Sequence, residues 1–192
     1  MDGVSAAVDH SWHARVPGDG NSRTRQRRRQ WLVVIVLAAG IACAQRQDPI
    51  PLSGGSSNPQ ELASHVLAAF AAGDRARLIE LSLSEDEFRQ NVWPHLPAAR
   101  PERNLPFDYV WGDLRQKSLD SLDQALGRMG RERLELVSLS FRGETSQYAT
   151  ATIRRESVFV VRATDGTVRE IRLFGSMIEQ GGRVKVFSYV TD

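Results

Sequence analysis

Side chains able to do chemistry sit at few places in this chain of 192 residues. Its one cysteine, Cys43, closes an uncharged apolar run, Trp31 to Ala42. With no second thiol there is no disulfide, and a cysteine at the end of such a run suits a processing site better than thiolate catalysis. Farther on, Asp108, Tyr109 and Asp113 lie close in sequence to Phe107 and Trp111, with Trp93 upstream. Carboxylate and phenol are the types that take up a proton and steady an oxyanion where apolar walls exclude water. The same residues also suit a helix cap at Asp113 and aromatic packing in a core. Arg154-Arg155 is the third place. Neighbours on a strand point to opposite faces, and Ala149, Ala151, Ile153, Phe159 and Val161 share the parity of Arg155. Arg155 is therefore expected to face the interior and to meet an acid such as Asp108 or Asp113, or an anionic ligand. Trp93 and Trp111 are the accompanying ligand-contacting candidates. His65 and His95, the only histidines after residue 43, lack metal-ligand spacing, so neither a metal nor a cofactor is expected.

The segment that ends at Cys43 reads as an export leader. Residues 1–22 are rich in Gly, Ser, Ala and Asp without periodicity, and a basic block from Arg23 to Gln30 precedes the apolar run. That run has 12 residues, whereas a membrane-spanning helix takes about 17–25 and a signal-peptide core about 7–15. Gly40-Ile41-Ala42-Cys43 resembles a bacterial lipoprotein box, which implies diacylglycerol on Cys43, a mature chain that starts there, and a place in the cell envelope on the outer side of a membrane. Ordinary cleavage is the alternative, because Ala42-Cys43-Ala44 and Gly40-Ile41-Ala42 both fit the small-x-small rule, and it would release a soluble secreted form. An uncleaved short anchor is a third outcome. Arg28-Arg29-Gln30-Trp31-Leu32 also resembles a twin-arginine export signal, which implies transport of a folded domain.

The positive charge belongs to this leader. Six arginines (15, 23, 25, 27, 28, 29) against Asp2, Asp9 and Asp19 leave residues 44–192 at a net charge of −1, although the whole chain carries +2. Arginines and acids are interspersed there without a basic stripe, so nucleic acid is not an expected partner. Residues 44–58 are rich in Pro, Gly and Ser and read as a flexible linker, with one α+β domain over 59–192. Asn58-Pro59 opens a helix that Gly73 ends, Asp74 opens a second through Leu83, and the Ser84 to Glu87 capping box opens a third that Pro94 stops. Four prolines from Pro94 to Pro106 predict an extended excursion. Phe107 to Trp111 suits a strand, and Gly112 to Met129 a helix with Gly130 as its stop. After that the period changes to two. Four strands, 133–142, 147–162, 167–179 and 183–190, are expected to form an antiparallel meander, with turns at Gly143-Glu144, Asp165-Gly166 and Gly181-Gly182. The helices should pack on one face of that curved sheet. Val158 and Val160, near Val184 or Val186, would make its outer face apolar and suited to a homodimer.

Helices broken at Ala72-Gly73-Asp74, a longer helix, and strands closing on Gly181-Gly182-Arg183-Val184-Lys185-Val186-Phe187 resemble the nuclear transport factor 2-like, or ketosteroid-isomerase-like, superfamily over residues 59–192. The resemblance implies a space between sheet and helices that hosts a reaction, a bound molecule or nothing. On the catalytic branch it implies a small-molecule isomerase, cyclase or hydratase, with Asp108 and Tyr109 as base and donor. The favoured expectation is the other branch, an exported, lipid-anchored module that binds a small molecule or a protein without catalysis.

Overall fold

Asn58 and Pro59 start the first helix for local reasons: the Asn58 side chain accepts the Glu61 N–H at 2.9 Å, and proline at the first position gives up an N–H that had no partner there. A computed structural model describes residues 49–129 and 131–191. Cys43, the leader and Gly130 lie outside the described residues. Helix α1 (Pro59–Ala72) ends at Gly73, whose φ of 67° supplies the left-handed residue that closes its last turn. Helix α2 (Arg75–Glu80) is capped by Asp74. Helix α3 (Glu85–Asn91) begins with the expected reciprocal box of Ser84 and Glu87.

The next segment corrects two expectations. The prolines do not extend the chain; they wind it into three successive 3-10 turns, Trp93–His95, Pro97–Ala99 and Pro101–Arg103, each with proline at one of its first two positions. A φ fixed near −65° can open a turn as readily as it holds an extended strand. Phe107 to Trp111 is not a strand but the first turn of helix α4 (Phe107–Met129). Phe107, Val110, Trp111 and Leu114 pack together into one core, and their spacing is helical.

The domain is α+β, with two antiparallel sheets following the helices. Strands β1 (Leu134–Phe141), β4 (Ser157–Ala163) and β5 (Val168–Ile171) form one sheet in the order β1-β4-β5. Strands β2 (Thr145–Gln147), β3 (Thr152–Arg155), β6 (Phe174–Gln180) and β7 (Arg183–Tyr189) form the other, in the order β2-β3-β6-β7. Two of the four expected strands are each broken where the chain turns a corner from one sheet to the other. One break is at Glu156, with φ 56°, and the other at Arg172-Leu173. The turn expected at Gly143-Glu144 is such a corner too, tied across by Arg142 N–H to Glu156 O and Gly143 N–H to Arg155 O. The hairpin itself closes later, with Tyr148 N–H donating to Ala151 O at 2.8 Å. At Gly181 (φ 56°) and Gly182 (φ 74°) the turn is where the sequence places it, with the paired positive φ of a type I′ hairpin.

The four-stranded sheet is buried on both faces. Met177, Val184 and Val186 face a core shared with α1, Leu78, Leu81 and Phe159. Ile153 and Ile178 face a second core with Leu52, Phe88, Val92 and the aromatic start of α4. The expected apolar outer face with Val184 and Val186 is therefore absent, since both are wholly inside. Val158 and Val160 do lie on the outward side of β4, but Val158 is buried. Arg142, just past the end of β1, pairs at 2.7 Å with Glu170 of β5, on the other side of β4. Arg162 and Glu135 add a cross-strand pair at 3.1 Å. A sheet face strapped with opposite charges is a poor self-association surface.

Residues 49–58 are not a free linker in this fold. Ser56 pairs with Val184, donating and accepting main-chain bonds at 3.0 and 2.9 Å, and Leu52 is buried in the second core. Residues 81–83 pair with Val186 just beyond: Val186 N–H donates to Leu81 O and Leu83 N–H to Val186 O. Together the two segments cap the open edge of β7, which would otherwise offer unpaired main-chain groups to another chain. Gly55 makes the first of these contacts possible, because a Cβ there would sit 2.6 Å from Val184 O. Gly55→Ala is expected to cost about 1–3 kcal/mol and to speed hydrogen exchange at the Ser56 and Val184 amides. Unchanged exchange and stability would show that this strap, residues 49–58, can yield.

Candidate functional site

The residues singled out in the sequence do not converge. Asp108 is 88% exposed, with its carboxylate 3.5 Å from the Arg89 guanidinium, and Tyr109 is 67% exposed. Both occupy solvent-facing positions of the first turns of α4, because the inward positions there are taken by Phe107, Val110 and Trp111. A carboxylate base with a phenol donor inside an apolar cavity is thus not what the fold builds around them. Asp113 lies inside α4 rather than at its cap and pairs with Lys117 at 2.8 Å. Trp93 and Trp111 are packing residues. Trp111 lies 5.2 Å from the Phe88 ring, and Trp93 meets Phe107 edge-on at 5.5 Å.

Arg155 is exposed, contrary to its parity, and meets neither Asp108 nor Asp113. The corner explains this: the chain leaves the four-stranded sheet at Glu156, and Ser157 takes the inward place, donating to Phe174 O. Arg154 instead reaches Glu179 at 3.4 Å. His65 bonds Ser56 Oγ at 3.0 Å, and His95 stacks on Tyr148. Among the described residues no cluster of three or more His, Cys, Asp or Glu is placed to hold a metal ion, and no helix is long and apolar enough to cross a membrane.

What the fold does bury is an ion pair absent from those expectations. Lys185 Nζ lies 2.9 and 3.2 Å from the two Glu87 oxygens, and the side chains are 4% and 2% exposed. Glu87 also accepts the Ser84 N–H, the Ser53 N–H and the Ser53 hydroxyl. Burial pushes its carboxyl pKa up, but the bonds from Ser84, Ser53 and Lys185 outweigh that and hold it below the ordinary value. One carboxylate thereby joins the strap, the α3 cap and β7.

Above this pair opens a cleft of about 440 Å3, lined by Ser53 and Gly54 of the strap, Ser82 and Ser84 of the α2–α3 junction, Arg115 of α4, and Lys185. It exists because the strap and the junction cap β7 at different residues, Val184 and Val186, and leave a gap between them. Four cations lie in or beside it. Arg77 pairs with Glu80 at 3.0 Å and Arg75 with Asp123 at 2.7 Å, while Lys185 pairs with Glu87. Arg115 is the odd one. Its Nη1 donates to Ser82 Oγ at 3.2 Å, and among the described residues no carboxylate pairs with it. Partial burial, with the repulsion of Arg75 behind it, moves its pKa below the usual arginine value. The sequence carried a signal for this residue. Trp111, Arg115, Ser118 and Leu122 follow i, i+4, i+7, i+11, so Arg115 falls on the buried stripe of α4. Lys185 between Val184 and Val186 is the corresponding signal on β7. Neither was separable from ordinary surface charge without knowing that β7 is covered on both faces. No family model, curated protein or solved structure matches this chain.

Proposed function

We propose that the chain is exported, held on the outer side of a membrane by lipid on Cys43, and folded into a non-catalytic module that binds a small molecule in the cleft above Lys185 and Glu87. The observation that carries the binding role is the Arg115 guanidinium, half-buried in a cleft of ligand size and, among the described residues, paired with no carboxylate. Proton transfer has no comparable support, since Asp108 and Tyr109 stand in solvent. The export and anchoring parts rest on the apolar run and its terminal cysteine.

Two measurements on the full chain test this. Intact-mass analysis of protein from a membrane fraction should show an acylated N-terminus at Cys43, and a soluble product starting at Gln45, or at an unmodified Cys43, would overturn the anchor. Titration with a library of small fragments, followed by amide chemical shifts, should perturb Gly54, Ser82 and Ser84 first. Shifts confined to other surfaces, or none, would overturn the cleft as the binding site.

A further inference from the structure

We propose that the ligand of this cleft is an oxyanion, the carboxylate or phosphate group of a small molecule, gripped by the Arg115 fork. The inference rests on the cleft being the binding site and adds the chemistry of what enters it. Glu80 lines the cleft and holds Arg77, Glu87 holds its Lys185, and Asp123 holds Arg75, whose charge Arg115 senses, so each of these carboxylates is committed to a different cation. Arg115 is the cation left over. Among the described residues its one hydrogen bond goes to a hydroxyl that is itself occupied, since Ser82 Oγ donates to Ile79 O at 2.6 Å. Most of the guanidinium's five N–H donors therefore have no acceptor among the described residues. A planar fork with free donors matches carboxylate or phosphate in two parallel bonds, and partial desolvation strengthens them.

The Ser84 hydroxyl adds a second donor. Its oxygen accepts the Glu87 N–H at 3.3 Å, which leaves its own proton free to point into the cleft. Glu80 works against an anion, because it lines the same cleft and holds Arg77. That opposition makes the inference testable in two directions.

The full chain should be titrated at constant ionic strength with inorganic phosphate, acetate and, as the neutral counterpart of acetate, acetamide. Amide shifts at Ser82 and Ser84 report binding. Saturable shifts with phosphate or acetate but not acetamide are expected, and which anion binds more tightly identifies the group. Arg115→Gln should weaken the anion by roughly tenfold or more. Glu80→Gln, on an exposed side chain, should tighten it by roughly twofold or more, so a misfolded Arg115 variant would still leave the idea open to refutation. Equal response to acetate and acetamide would overturn the oxyanion while sparing the cleft as a binding site. An absence of saturable shifts with all three probes, or no change in either variant, would also overturn it.

Discussion

Lys185→Met is expected to cost about 3–5 kcal/mol, because it strands the Glu87 carboxylate in the interior. Equilibrium denaturation of the full chain gives the number. The loss should concentrate on Lys185, whose removal leaves a charge, rather than on the net worth of the pair, which replaces two hydration shells and is small. The double variant Glu87→Gln with Lys185→Met is accordingly expected to be markedly more stable than the sum of the single losses predicts. Strict additivity would mean that the two groups do not sense each other. The same pair sets an acid limit. With the folded pKa of Glu87 held below its unfolded value of 4.5, the group's stabilisation is full above about pH 4.5 and is lost as pH falls through the folded value. In Lys185→Met that acid dependence should shrink, because part of the depression comes from the ammonium.

Phe88→Ala should destabilise by a similar amount, about 3–5 kcal/mol, for a different reason. Phe88 is 1% exposed and its ring is surrounded by Phe107, Trp111 and Phe187 at 5.9, 5.2 and 6.1 Å. It is the hub between α3, the first turn of α4 and β7, three elements joined mainly by aromatic edges and faces. The cavity left by the ring cannot close easily, since the prolines at 94, 97 and 101 and the Asn104 left-handed turn fix the path of the chain between α3 and α4. Tryptophan fluorescence should change in the folded state because Trp111 loses a neighbour. A loss under 1 kcal/mol with unchanged emission would show that the second core is loosely packed.

Local signals in the sequence translated directly into structure. Asn58-Pro59, Gly73, the Ser84 and Glu87 box and Gly181-Gly182 each act within four residues and need no tertiary contact. What the sequence hid depends on contacts across the chain. Arg155 follows its parity until Glu156 bends the strand, and no residue type announces that corner, since Glu156 takes φ 56° without being glycine. Phe107 to Trp111 is β-branched and aromatic enough to mimic a strand, yet the second core selects the helix that aligns Phe107, Val110 and Trp111. Glu87 was legible as a cap and not as an ion-pair partner, because Lys185 is 98 residues away.

If Cys43 carries lipid as proposed, the docking of residues 49–58 also limits how far the domain could stray. Between Cys43 and Pro49 only residues 44–48 remain, and a fully extended chain gains about 3.3–3.6 Å per residue, so that leash reaches roughly 20 Å at most. A free stretch through residue 58 would have reached two to three times as far. With lipid on Cys43 the domain would ride within one small-protein diameter of the headgroups. The side that carries Ile50, held by Asn91 Nδ2 at 2.9 Å, would have to turn toward the bilayer. Whatever enters the cleft would then have to be met at the membrane surface, not fetched from a distance across the envelope.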